Sequence, residues 1–219
     1  MFKVVYEDNH VIAVFKPAGV LSQGDKSGDA SIFDETKKYL KEKYKKLGNV
    51  FLGLVHRLDR PVSGVMLFAK TSKGASRLSE QFRNHAIGKI YHAVVSGKPA
   101  QNRGVLTNLL GKDSKTHKGA EYADGKKAKL YYEVVASNEK YALLKIMIEG
   151  GKFHQIRTQL SLAGLPILGD VKYGGKAWQY DGAIALCANY ISFAPPTKYP
   201  VVVLSVDLPK EWQEYLSTD

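Results

Sequence analysis

An α+β fold built on a mixed, largely antiparallel sheet is what this 219-residue sequence predicts, on three observations. Strand-like runs are numerous, helical stretches are few, and the two do not alternate in a regular βαβ rhythm. No repeat, low-complexity tract or linker interrupts the chain, so one catalytic-sized domain over residues 1–219 is expected.

Taken in order, Val4 to Tyr6, a polar turn at Glu7-Asp8-Asn9-His10, and Val11 to Phe15 read as a hairpin. Lys16-Pro17-Ala18-Gly19 closes it with a turn whose backbone can approach a ligand. A helix is expected from Ser31, its cap, to about Leu47, with Asp34 and Glu35 at the positive end of its dipole and Gly48 ending it. Phe33, Leu40 and Tyr44 share one face, and six lysines between Lys37 and Lys46 form a solvated one. Val65 to Ala69 is a buried strand. A helix follows from a Thr71 or Ser72 cap, its stripe of Ala75, Leu78 and Phe82 directed at the core. Lys89 to Val95 is a strand ended by Ser96-Gly97-Lys98-Pro99.

Residues 100–127 are rich in Gly, Asn, Asp and Lys and are expected to form an exposed, mobile insertion that makes substrate-specific contacts. Lys129 to Val135 and Tyr141 to Ile148 read as paired strands. Gly150 to Arg157 leads into a helix to about Ala163, stopped by Gly164 and Pro166. Short strands at Ile184 to Cys187, Tyr190 to Phe193 and Val201 to Val206, then a helix at Lys210 to Leu216, complete the pattern.

Composition narrows the function. Thirty-two Lys and Arg against 21 Asp and Glu leave a net charge of +11, which favours polyanionic partners, nucleic acid first. Cys187 is the only cysteine, which excludes an intramolecular disulfide and fits a reducing compartment. The N-terminal segment is too short in apolar length and too soon acidic for a signal peptide, and no apolar run spans a bilayer. A soluble cytoplasmic protein is expected, with no membrane partner.

The densest group of ionisable side chains is His56-Arg57-Leu58-Asp59-Arg60, between the apolar runs Val50 to Val55 and Val65 to Ala69. Flanking arginines favour an ionised Asp59, which makes it a ready nucleophile or base. The six histidines are scattered without ligand spacing, so no metal site is expected.

His56-Arg57-Leu58-Asp59-Arg60-Pro61-Val62-Ser63-Gly64 resembles the H-R-L-D-x-x-[TS]-S-G signature of the RluA-type pseudouridine synthases. Lys16-Pro17-Ala18-Gly19 is similar to that family's K-P-x-G motif, and Lys89-Ile90-Tyr91-His92-Ala93 to its K-x-Y-x-A strand. Gly151 to Arg157 with Gly164 to Asp170 is similar to its G-R-x-H-Q-I-R and G-x-P-I-x-G-D blocks. The motifs stand in family order along nearly the whole chain. Val62 replaces the more frequent Thr, Lys152 an Arg, Thr158-Gln159 a Val-His, and Cys187 a His; these departures bear on substrate choice and packing.

The resemblance implies a sheet flanked by helices and loops around a central catalytic cleft, with no S4-like N-terminal domain. It implies an isomerase acting on uridines in structured tRNA or rRNA, without metal, redox cofactor or nucleotide. Asp59 is then the essential carboxylate, Arg157 its bidentate partner, and Tyr91 the ring that stacks on uracil. The target base must be flipped out of its helix, and Arg57 is the residue expected to fill the space left behind. His56, Arg60, Lys16, Lys89, His154 and Gln155 are the further expected RNA contacts, although a loop-holding role is the favoured one for both histidines. Asp170, in a Gly-Asp turn, reads as structural. A monomer is the default. Two other readings are a catalytically silent RNA-binding module on the same scaffold and a glycosidase or nucleosidase, which would call for a second carboxylate.

Overall fold

The computed structural model describes residues 2–197 and 200–217. It is a mixed, mostly antiparallel α+β structure, as the sequence predicts. The chain divides into two compact units, Met1–Gly88 with Asn189–Val206 and Lys89–Ala188 with Asp207–Asp219.

In the first unit β1 (Lys3–Glu7) and β2 (Val11–Lys16) form the expected hairpin, and β2 pairs antiparallel with β4 (Ser63–Ala69). The short β3 (Gly53–Leu54) also pairs with β4. β10 (Leu186–Phe193) begins in the second unit and ends in the first, where β11 (Val202–Ser205) pairs with it. The sequence suggests two strands here, broken at Ala188-Asn189; the structure has one. The Asn189 carbonyl accepts from the Val206 N–H at 2.9 Å, which carries the pairing on past the expected break.

β2 and β4 are buried on both faces. On one side Val11, Ala13, Val65, Leu67 and Ala69 pack with Leu78, Ile87, Ile191 and Phe193, and Ala75 and Phe82 lie against this cluster. Those contacts come from α2 (Ser72–Arg83), whose first turn is capped by the Thr71 hydroxyl. On the other side Phe33 of α1 (Ile32–Lys43) meets Phe68 edge to face. Ser31 caps α1 as expected, but the helix stops at Tyr44 rather than near Gly48. Lys45 takes a left-handed conformation there, φ 49°, which breaks the ladder. Tyr44 consequently points to the surface, and its hydroxyl donates to Glu7.

The second unit contains the strand order β5 (Gly88–Ser96), β9 (Tyr141–Glu149), β8 (Lys126–Ser137), β6 (Arg103–Lys112) and β7 (Gly119–Glu121). Its adjacent strands are antiparallel. The stretch 100–127 is largely exposed, as expected, but it is not irregular throughout: β6, β7 and the first two residues of β8 lie in it. Gly104 and Gly111 are strand glycines, because a Cβ on them would fall 2.5 Å from the Tyr132 hydroxyl and 2.8 Å from the Tyr122 ring. α3 (Gln155–Leu162) packs on this sheet with six consecutive residues buried. The last expected helix is a 3-10 segment, Lys210–Tyr215, anchored by buried Trp212. Among the described residues no helix is long and apolar enough to cross a membrane.

Candidate active site and the family

The expected site residues fall in both units, and each group has its own supports. In the first unit Asp59 lies in a turn closed by the Val62 N–H donating to its carbonyl at 3.0 Å. Its neighbour Leu58 is buried, and the backbone of Leu58 is fastened on both polar atoms by one side chain. The Ser22 hydroxyl donates to the Leu58 carbonyl and accepts from the Leu58 N–H at 3.1 Å. Ser22 was not singled out in the sequence, where nothing local links it to a residue 36 positions later.

Lys16 corrects an expectation. It is fully buried at the end of β2, so RNA contact is denied to it. Its ammonium donates instead to the carbonyls of Pro17 (3.0 Å), Val20 (2.8 Å) and Arg60 (3.1 Å), tying the Lys16-Pro17-Ala18-Gly19 turn to the turn that carries Asp59. Burial pulls the Lys16 pKa down to about 7, against the opposing charge of Asp59 and with a smaller push from Arg60. A buried lysine amine in the field of Asp59 is therefore part of this group. The same two turns are joined by Gly19 N–H to the Arg60 carbonyl at 2.8 Å and by Arg60 Nε to the Gly19 carbonyl at 2.9 Å. Gly19, at φ 82°, and Gly64, at φ 138°, occupy backbone conformations that side-chain-bearing residues rarely adopt.

Arg60 also pairs with Asp29 at 2.8 Å, so its side chain supports the turn. His56 does the same for the incoming segment. Its Nε2 accepts from the Leu67 N–H at 2.8 Å, which leaves the proton on Nδ1 of a neutral ring, and the ring stacks on Phe82 at 4.7 Å. The loop-holding role favoured for this histidine is the one observed. Arg57, between these anchored neighbours, is exposed and makes no ion pair among the described residues.

In the second unit Tyr91 is a buried residue of β5 opposite Ile146. Lys89, two residues earlier, donates to the Gly150 carbonyl at 2.9 Å and is half-buried, and burial lowers its pKa. It steadies the turn ahead of α3. Gln155 is buried and its amide is consumed internally: Oε1 accepts from the Lys152 N–H, and Nε2 donates to the Lys129 carbonyl and to Gln159. RNA contact by Gln155 is corrected on the same ground as for Lys16.

His154 stands at the start of α3 in a left-handed conformation, φ 52°, with its ring stacked on Phe153 at 3.8 Å. The Tyr173 hydroxyl accepts from the Gly119 N–H at 2.6 Å and lies 2.7 Å from His154 Nδ1. Both bonds are satisfied when the phenol gives its proton to Nδ1, leaving the histidine N–H on Nε2. Gly119 has no room for a side chain, since a Cβ would meet the Thr158 hydroxyl at 2.3 Å.

Arg157 is 5% exposed, and its Nε and Nη2 donate to Asp170 Oδ2 and Oδ1 at 2.7 and 2.8 Å. The guanidinium carbon also sits 4.8 Å from the centre of the Tyr173 ring. The side fork of the guanidinium is therefore engaged with Asp170, and any second anion is met from the Nη1 end. Asp170 is structural, as expected, but its specific task of holding Arg157 was not read from the sequence; the Gly169-Asp170 pair after the helix was the available signal. Among the described residues no three His, Cys, Asp or Glu side chains cluster as a metal site.

The motif order agrees with comparison to known proteins. Residues 10–162 match the model of the RNA pseudouridylate synthases. The chain belongs to the RNA pseudouridylate synthase family, in its RluA type. Ribosomal large subunit pseudouridine synthase C of Rickettsia prowazekii (strain Madrid E) is 34% identical over 211 residues, covering 94% of this chain and 68% of that protein. Ribosomal large subunit pseudouridine synthase D of Zymomonas mobilis subsp. mobilis is 29% identical over 223 residues, 96% of this chain and 70% of that one. The fold matches human RNA Pseudouridylate Synthase Domain Containing 4 with a TM-score of 0.81 at 23% identity, over 98% of this chain and 91% of that one. As a pseudouridine synthase the chain is an isomerase with an RNA substrate.

Proposed function

We propose that this pseudouridine synthase isomerises particular uridines in structured RNA through an aspartate-dependent, flipped-base reaction in which Asp59 is the essential carboxylate. The observation that carries the proposal is the anchoring of the Asp59 turn. Ser22 holds Leu58, Lys16 and Gly19 hold Arg60, and His56 holds β4 at Leu67, so a half-buried acid in a turn has an almost fixed backbone. Positioning of this kind is worth much in a reaction that needs a carboxylate at one carbon atom.

In the isomerisation the bond from ribose C1′ to uracil N1 breaks, the base turns, a bond forms from C1′ to C5, C5 loses its proton and N1 gains one, so the composition is unchanged. A carboxylate meets the positive character at C1′ as it does in retaining glycosidases. Tyr91 stacks on the base and assists loss of the C5 proton, and Arg157, oriented by Asp170, is the guanidinium proposed to pair with the essential carboxylate. Exposed Arg57 fills the vacated stack, against an unstacking cost of a few kcal/mol. The enzyme works as a monomer in the cytoplasm. Its relatives' names favour ribosomal RNA of the large subunit over tRNA.

Chemical mapping of pseudouridine in total RNA, from cells with and without the gene, identifies the target. The uridine that loses its label in the deletion should regain it with the wild-type chain and not with Asp59→Asn, which should bind RNA within a few-fold of wild type. Full turnover by Asp59→Asn removes the carboxylate from the mechanism. An unchanged map in the deletion leaves the chain an RNA-binding module.

A further inference from the structure

The second unit contains a cleft of about 910 Å³ that the isomerisation does not use. Its walls come from three places: the end of β6 and the turn after it, the turn between β7 and β8, and the turn before α3. Lys112, Lys115, Lys126 and Lys152 line it, and none of the four forms an ion pair among the described residues. Asp113 and Asp124 also line it, so four cations stand against two carboxylates, and Asp113 Oδ1 accepts from the N–H groups of Lys115 and Thr116 at 2.8 and 2.9 Å and shapes their turn.

Two exposed aromatic rings accompany the lysines. The Tyr122 ring approaches Gly111 so closely that a Cβ there would fall 2.8 Å from it. Phe153 is stacked on His154, and the Lys112 ammonium stands 5.1 Å from its centre. Gly125 completes the wall, since a Cβ would be 2.5 Å from the Leu109 backbone. Unpaired cations interleaved with exposed rings suit an extended strand of RNA, whose phosphates take the lysines and whose unstacked bases take the rings. A double helix presents no base faces for Tyr122 or Phe153 to meet.

We propose that this cleft is a binding site for a single-stranded RNA segment flanking the target, with Lys112, Lys126 and Lys152 as phosphate contacts and Tyr122 and Phe153 as base platforms. The assignment rests on the RNA-modifying reading above and extends it to substrate choice. Lys152 and Phe153 precede His154 and Arg157 directly, so occupancy of the cleft bears on the start of the helix that presents Arg157.

The test uses the full chain and a fluorescent oligouridylate, with a hairpin duplex of equal nucleotide count as comparison. The triple variant Lys112→Ala/Lys126→Ala/Lys152→Ala should weaken oligouridylate binding at least tenfold and lower the slope of log affinity against log salt by about 2, as expected for three lost contacts to a single strand. The triple Lys→Arg variant should retain most of the affinity. Tyr122→Ala should weaken binding with no change in salt slope. Unchanged affinity and slope in the Lys→Ala triple, with a circular dichroism melt like that of wild type, overturn the site. A greater loss of duplex affinity than of oligouridylate affinity in the Lys→Ala triple overturns the single-stranded occupant, and loss of affinity in the Arg triple equal to that in the Ala triple overturns charge as its basis. Failure of the proposed function reads differently, since pseudouridine would then be absent with wild-type protein whatever the oligouridylate does.

Discussion

Arg157 and Asp170 face each other through two parallel hydrogen bonds, with the arginine side chain 6% and the aspartate side chain 1% exposed. Neither charge can be solvated where it lies, so each depends on the other. Asp170→Asn keeps the volume, loses the charge and supplies one acceptor where two are needed. It should lower unfolding free energy by about 3–5 kcal/mol, measured by urea denaturation. A loss under about 1 kcal/mol would mean that another anion already neutralises Arg157. Isomerase activity should fall in step, because an arginine released from its fork no longer presents a fixed Nη1.

Ser22 provides a second test of positioning. Ser22→Ala leaves the Leu58 N–H and carbonyl buried without their partner, at a cost of about 1–3 kcal/mol. The turnover rate should drop more than the apparent RNA affinity, since the change moves the Asp59 backbone and leaves Arg57 exposed. Single-turnover kinetics beside equilibrium binding separates the two, and a pure affinity effect would count against the positioning role.

The buried ammonium of Lys16 makes stability depend on pH in a defined direction. Its folded pKa, about 7, lies below the unfolded value of about 10.4, so above the lower value the unfolded chain binds more protons. Stability should therefore rise as pH goes from about 7 toward about 10, the destabilisation from the buried charge being fully present only below that window. Lys16→Met should flatten this rise. Urea midpoints at a series of pH values report it, and parallel curves for the two proteins would show that Lys16 keeps its proton throughout.

What could be read in advance was what is written locally. The alternation in Val4 to Phe15, the unbroken Val65 to Ala69 run and the Ser31 and Thr71 caps each determine their element over a few residues. β6 was hidden because its glycines make room for the rings of Tyr132 and Tyr122, residues outside the strand. Lys16 looked like a surface lysine because one of its three carbonyl partners lies 44 positions away at Arg60. The motifs that carry Asp59, Tyr91 and Arg157 were legible through their order, whereas Ser22, which holds the backbone beside Asp59, and Asp170, which holds Arg157, act through contacts that no local pattern records.

Glu7 offers the acid-side counterpart to Lys16. Its side chain is 9% exposed, and it accepts from Lys43 at 2.7 Å, Lys70 at 2.6 Å and Tyr44 at 2.7 Å. Burial alone would raise its pKa, but the bonds from Lys43, Lys70 and Tyr44 outweigh burial and bring it to about 2. A depressed carboxylate contributes stability that is complete above its unfolded pKa of about 4.3 and disappears as pH falls toward the folded value. Part of the interaction is screened, because Lys43 is 44% exposed, so Glu7→Gln should cost about 2 kcal/mol at neutral pH. Urea denaturation of the two proteins should show that gap narrowing below about pH 4 and closing near pH 2. A gap that persists at the lowest pH would assign the stabilisation to hydrogen-bond geometry that glutamine cannot copy rather than to charge.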